Sequence, residues 1–363
     1  MSKPIRVLHI VGAMYPGGME NFIMNLYQYI DRTKVQFDFV VHARKENDYA
    51  EQIETMGGRV YELPRLTRNP VRSLIGLYRL VKAQRYPIVI RHTANALVVP
   101  QLVAARLAGA KTICHSHNET DPQRTLHKIG RLFMKSAATK CLACSENAGK
   151  WMFGKQHYDV IHNAIDISKF AYQTQKAEKI IDEFDLKGKH VYGHIANFIK
   201  SKNHIYLMAI YKEILGRDPE AVCFCLGEGE LRPQIEQEIK RLGIEDRVIL
   251  TGIRHDVECF MSCFDVLVFP SIFEGLPLTL IEAQAAGLPC LISNTITEGV
   301  IVTDGLVEMA SIEEAPSYWA ERAMALVQKN QDNSRECQRE KIASYGYDVK
   351  QLAKWYEEYF CKM

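Results

Sequence analysis

Short apolar runs that alternate with helix-spaced segments, in two successive series, constrain this chain more than any other feature. The first series has runs at 5–11, 35–41, 59–63, 87–91, 111–115, 140–144 and 158–162. Stretches with helical spacing, such as 20–30, 94–108 and 124–138, separate them. The pattern stops after Asn163, a polar stretch runs from Tyr172 to Lys189, and strands resume at 190–196, 221–226, 247–251, 264–269 and 288–292. A chain of 363 residues exceeds one ordinary core. The fold class predicted is therefore α/β, with two Rossmann-like, doubly wound domains over 1–170 and 171–345. Leu352, Trp355, Tyr356, Tyr359 and Phe360 recur at helical spacing near the end, so 346–363 is expected to pack back on the first domain.

Composition narrows the class. With 47% hydrophobic and 24% charged residues the chain is ordinary and globular, and no run approaches the 18 or more apolar residues of a membrane span. The run Ile5 to Val11 is too short for a signal-peptide core, which points to the cytoplasm. Ten cysteines raise the question of disulfides or zinc. Cys141 and Cys144 have no second pair at metal-ligand spacing, and Cys223 and Cys225 lie in an apolar run, so buried thiols are expected. His115 and His117 could form a metal pair but have no carboxylate or cysteine cluster at suitable spacing.

The net charge of +2 hides an asymmetry: Arg59 to Lys155 holds 17 Lys/Arg against Glu62, Glu119, Asp121 and Glu146, a local +13 that leaves −11 for the rest. Within it, Arg72, Arg79, Lys82 and Arg85 alternate with Leu74, Ile75, Leu77, Leu80 and Val81 as in a basic amphipathic helix from Pro70 to Tyr86. Either a solvated face or peripheral attraction to anionic lipid or a phosphorylated acceptor fits this block. A nucleic-acid partner is not expected.

The densest chemistry follows the run Phe264 to Pro270. Ser271-Ile272-Phe273-Glu274-Gly275-Leu276-Pro277-Leu278 leads into a helix expected to start at Pro277, run through Ala286 and stop at Gly287 and Pro289. Its first turn should offer the N–H groups of Leu276 and Leu278 to an anion. Glu282 lies five residues inside Pro277, about 7.5 Å along the axis, so Glu274 and Glu282 can reach hydroxyls on either side of a diphosphate. One capping and one solvated carboxylate would show the same spacing.

Other loops after strands are weaker signals. Gly17 and Gly18, in the segment Gly12 to Glu20, permit close approach of a ligand but form neither a dinucleotide fingerprint nor a P-loop. Thr112 to Glu119 puts His115 where a strand ends, and Gly193 to Asn203 puts Lys200 and Lys202 where a diphosphate would sit. Loops at strand carboxyl ends from both domains are expected to face one another across a cleft.

These pieces together resemble glycosyltransferase family 4, retaining enzymes of GT-B fold, and most closely the bacterial branch that builds capsular and exopolysaccharides. The resemblance rests on Gly17 to Glu20, Ile161 to Phe170, Phe198 to Asn203, Leu226 to Gly229, and Glu274 to Glu282, which span nearly the whole chain in order. It implies that Glu274 contacts the transferred sugar, Glu282 the ribose, and Lys202 the diphosphate, with His115, or its rival His117, beside the donor sugar. Gly227, Gly275, Leu276, Pro277 and Leu278 would line the nucleotide-sugar site. The chain departs from the family at Asn197, where an arginine is usual, which removes a charge-assisted partner of the phosphates.

The reaction expected is transfer of a sugar from a UDP-type nucleotide sugar to a saccharide or lipid-linked oligosaccharide, with Lys202 and the helix start taking up the leaving group's charge. His115 and Glu274 would orient the sugar. The chain has no D-x-D pair, so neither a metal nor another cofactor is expected. Two alternatives are a weak or inactive nucleotide-sugar-binding protein, favoured by Asn197, and a sugar-nucleotide epimerase of the same architecture, for which no further paired carboxylates are found.

Overall fold

The computed structural model describes residues 3–363 except 16, 45, 47, 119, 120, 331–334, 336 and 337, together with the backbone alone at 330. Pro16 and Glu119, cited above, lie outside the described residues. The chain forms two compact units, one of Met1–Ala164 with Asp348–Met363, the other of Ile165–Tyr347. The division falls six residues before the expected 170/171 boundary because Ile165, Ile167 and Phe170 pack into the core of the second unit. Likewise Tyr347, placed by its sequence with the C-terminal helix, belongs to the second core.

The first unit is a seven-stranded, wholly parallel sheet in the order β3-β2-β1-β4-β5-β6-β7. Its strands are β1 Ile5–Ile10, β2 Val35–Val41, β3 Val60–Glu62, β4 Ile88–Thr93, β5 Lys111–Ser116, β6 Lys140–Ala143 and β7 Asp159–Val160. Every residue of β2 is buried, as expected for a strand covered on both faces. That burial includes Asp38, which stays satisfied: Arg6 donates to it through Nε at 2.7 Å and Nη2 at 2.5 Å, the Tyr86 hydroxyl at 2.7 Å and the Arg59 N–H at 2.8 Å. The helix Val349–Lys362 returns to this unit and buries Leu352, Tyr356 and Phe360 in the core that holds Phe37 and Phe39.

The second unit repeats the plan with six parallel strands in the order β10-β9-β8-β11-β12-β13. They are β8 His190–Ile195, β9 Ala221–Leu226, β10 Val248–Gly252, β11 Val266–Phe269, β12 Cys290–Ser293 and β13 Val307–Ala310. Two features depart from the sequence reading. The polar stretch Tyr172 to Lys189 contains a helix, Thr174–Phe184, that buries Ala177 and Ile180. The edge strand β13 is new; its sequence Val-Glu-Met-Ala carries too little apolar signal to mark it. Nine free cysteines are described, seven of them buried. Among the described residues no helix is long and apolar enough to cross a membrane.

Candidate nucleotide-sugar site and histidine cluster

In each sheet the two central strands, β1 with β4 and β8 with β11, run into loops that lead to opposite sides, which opens a crevice at their carboxyl ends. In the second unit the loops after β8 and β11 are stitched together. The Ile272 N–H donates to the Ser201 carbonyl at 2.8 Å and the Asn203 side-chain amide to the Pro270 carbonyl at 3.1 Å. Asn203 takes the left-handed conformation, φ +59°, which turns the chain from the 3₁₀ turn Lys200–Lys202 into the helix His204–Arg217. Lys202 Nζ consequently meets Glu274 Oε1 at 2.5 Å, the side chains being only 17% and 9% exposed. At that depth the pair is shielded from the solvent that makes surface ion pairs nearly worthless. The ammonium also lies 5.5 Å from the Phe269 ring centroid.

The helix after Glu274 begins one residue later than its sequence suggested: Pro277 is its N-cap, with ψ 106°, and the helix spans Leu278–Ala285. Gly287 follows in the left-handed region and ends it. Among the described residues nothing accepts from the backbone N–H groups of Leu276 and Leu278, so the anion-binding end is intact. A Cβ on Gly275 would meet nothing within 4 Å, which leaves this approach open. Glu282, partly buried, sits near the ion pair of Lys169 and Glu258, whose charged atoms are 3.3 Å apart. Burial pushes the Glu282 carboxyl up to about 7, with Lys169 opposing and Glu258 adding to the shift. Near neutrality it can therefore donate as well as accept a hydrogen bond to a ligand hydroxyl.

Gly227 has φ +136°, and a Cβ there would lie 2.1 Å from the Ala196 carbonyl oxygen. Only glycine lets the loop after β9 lie so close to that after β8. Asn197 is exposed, as is Lys200, which has no ion-pair partner among the described residues. Neighbouring residues passed over in the sequence include Lys169 and Glu258, and Gln284, whose amide secures the loop after β12. Gln284 Nε2 donates to Leu280 and Val300 carbonyls, and its Oε1 accepts from Val302, Thr303 N–H and Thr303 Oγ1. Such contacts over long sequence separations have no local signature.

In the first unit the crevice holds imidazoles. His9 Nδ1 lies 3.0 Å from His92 Nε2, and His92 Nδ1 lies 2.9 Å from His117 Nε2. Burial lowers the pKa of all three, His9 and His117 to about 3, so the chain is neutral at physiological pH. Each neutral ring donates through one nitrogen and accepts through the other, so all three must share one tautomer, either Nδ1–H or Nε2–H throughout. His115 packs beside them with its ring centroid 4.1 Å from that of His117, yet it has no exposed surface and both its nitrogens lack a partner among the described residues. Of the two candidates from the sequence, His117 is the one with surface a ligand can touch. His92, His115 and His117 each bring one ring nitrogen within 4.8 Å of the others, a spacing that could admit a small cation. Nearby, Gly17 caps the helix Gly18–Tyr29, and a Cβ on Gly18 would meet nothing within 4 Å.

Comparison with known proteins agrees with this architecture. Residues 16–169 match the family model described as Glycosyltransferase Family 4, and residues 189–329 that described as Glycosyl transferases group 1. EpsF of Bacillus subtilis, which carries a glycosyltransferase name, is 34% identical over 96% of this chain and 94% of its own. The UDP-Gal:alpha-D-GlcNAc-diphosphoundecaprenol alpha-1,3-galactosyltransferase of Escherichia coli is 28% identical over 85% of each. Among solved structures, Anabaena Alr3699/HepE in complex with UDP superposes with a TM-score of 0.74 at 17% identity, over 96% of this chain and 95% of that one. The two parallel sheets and the family match across both units show that this chain belongs to glycosyltransferase family 4, and is a glycosyltransferase of GT-B fold.

Proposed function

We propose that the protein transfers a sugar, with retention at the anomeric carbon, from a UDP-sugar to a saccharide or lipid-linked oligosaccharide acceptor in the synthesis of a bacterial surface polysaccharide. The observation that carries this reading is the Lys202–Glu274 pair beside the free N–H groups of Leu276 and Leu278. A diphosphate seated on those amides draws Lys202 to itself and leaves Glu274 to orient the hydroxyls of the sugar. As the glycosidic bond breaks, charge builds on the departing diphosphate, and Lys202, Lys200 and the helix start stabilise it without a metal. Glu282 binds the ribose. In the first unit His117, held by His92 and with His115 packed behind it, is the imidazole that a sugar hydroxyl can reach. The UDP in the HepE complex and the donor in the E. coli enzyme's name support a uridine nucleotide.

Glu274→Ala tests the assignment: transfer should fall by about 10³-fold or more while UDP binding persists and the protein still folds, with a lowered melting temperature from the unpaired Lys202. Retained transfer in the purified variant would remove Glu274 from the site.

The reading places the enzyme peripherally on the cytoplasmic face of a membrane. The helix Arg124–Ala137 supports this: Leu126, Ile129, Leu132 and Phe133 are 53%, 53%, 78% and 56% exposed, and Arg124, Lys128, Arg131 and Lys135 lie along it with no acid. Leu132→Glu should weaken binding to phosphatidylglycerol vesicles about tenfold, measured by flotation. Equal flotation of the variant would return the helix to a solvated role.

A further inference from the structure

One partly buried cation of the first unit has, among the described residues, no counter-ion of the kind that others in the chain have. Arg6 pairs with Asp38, Arg254 with Glu183 and Asp256, and Arg322 with Glu308. Arg91, in β4, has no carboxylate partner among the described residues; its Nε donates to Gln101 Oε1 at 2.8 Å and its Nη1 to the carbonyls of Ile10, at 3.0 Å, and His92. These bonds fix the guanidinium and leave Nη2 uncommitted. Burial without an opposing carboxylate draws its pKa down to about 10, still charged at neutral pH. A desolvated, hydrogen-bonded guanidinium with spare donors is a receptor for an oxyanion.

Arg91 lines a cavity of about 520 Å³ formed entirely by the first unit, and Arg65, His42, Asn95 and Glu20 share that lining. The side chain of Arg65 is exposed and has no ion-pair partner among the described residues. His42 donates from Nδ1 to the Leu63 carbonyl at 3.0 Å, so its Nε2 accepts from Gln101 Nε2 at 3.4 Å. That orients the Gln101 carbonyl oxygen toward Arg91. Burial, and then the charges of Arg91 and Arg65, hold His42 below the usual imidazole range, so both cations lie close to that ring. The wall is preformed: Trp151 Nε1 donates to the Ala94 carbonyl at 2.9 Å and the Ala96 N–H to His127 Nδ1 at 3.1 Å.

We propose that Arg91, assisted by Arg65, binds the diphosphate through which the acceptor sugar is attached to its carrier, while Glu20 contacts hydroxyls of that sugar. The inference rests on the transferase reading above and gives its acceptor a chemical handle, a glycosyl diphosphate. A neutral oligosaccharide end would leave Arg91 without an anion.

The test is calorimetric titration of inorganic pyrophosphate into the full-length protein saturated with UDP, which occupies the phosphate site of the second unit. The wild type should bind, Arg91→Gln should weaken binding by about tenfold or more and Arg65→Gln by about threefold. UDP affinity should change less than about twofold in both. Arg65→Gln, at an exposed side chain, carries the test should Arg91→Gln not fold. A hexosamine 1-phosphate and a short-chain prenyl diphosphate, titrated in the same way, separate a soluble phosphorylated sugar from a lipid-linked one; prenyl diphosphate binding weakened in both variants by the factors given for pyrophosphate is the result expected. Absence of pyrophosphate binding in the UDP-saturated wild type, or equal binding in both variants, would overturn the proposal. Failure of sugar transfer would instead count against the transferase reading and leave this readout intact.

Discussion

The two units share a strand order but equip their switch points oppositely. At the ends of β8 and β11 the second unit keeps a nearly buried ion pair, Lys202 with Glu274, and a carboxyl held near neutrality, Glu282. At the ends of β1 and β4 the first keeps uncharged imidazoles in a hydrogen-bonded row and a guanidinium without a carboxylate partner among the described residues. The same backbone plan thus supports a polar site whose charges are already matched and one whose cation awaits an anion. Matched charges can be separated by a ligand that brings its own; an unmatched cation recruits the ligand outright.

The sharpest way to break this comparison is to unmatch the second unit. Lys202→Met should lower the rate of transfer by about 10³-fold, because it deletes the cation facing the leaving group. It should also destabilise the unit by roughly 2–3 kcal/mol through the stranded Glu274 carboxylate. Adding Glu274→Gln to it should restore stability without restoring transfer, read by urea unfolding and by product formation in the same preparations. If Lys202→Met alone unfolds no more easily than wild type, Glu274 is not dependent on its partner, and the contrast between the switch points disappears.

The local devices of this site were legible in the sequence: the run Phe264 to Pro270 marked a strand, Pro277 a helix start and Gly287 its stop. The strand order and the meeting of Lys202 with Glu274 were not, because 72 residues separate the pair and nothing local specifies which loops adjoin. Helix periodicity in Ala177, Ile180, Ile181 and Phe184 was present but masked by charged neighbours, so a helix was read only as a polar stretch. Of the histidine row only His117 was visible, beside His115. The other members, His9 and His92, lie in β1 and β4, and the order of the parallel strands brings the three together. Arg91 gave no warning, since a lone arginine in a strand acquires meaning only once its hydrogen-bond partners are seen to include no carboxylate among the described residues.

A smaller effect sharpens the second half of the comparison. Glu282 in the folded protein holds its proton up to about pH 7, against 4.5 for an ordinary glutamate, chiefly because it is desolvated. Below pH 4.5 folded and unfolded states are both protonated and the group has no effect on stability. Above it, the unfolded chain ionises more readily, so stability falls until the folded carboxyl also ionises near pH 7, and the penalty is constant beyond. Glu282→Gln removes the titration while keeping the shape. It should therefore raise stability by about 2 kcal/mol at pH 8, a figure reduced for partial exposure of the side chain, and by nothing at pH 4. The measurement is the difference in denaturant midpoint between variant and wild type from pH 4 to pH 8. A flat difference would mean that Lys169 compensates for desolvation and that Glu282 is as well matched as Glu274. A rise between pH 5 and pH 7 would mark it as an acid of the second unit that the fold, unlike in the case of Glu274, leaves without a matching charge.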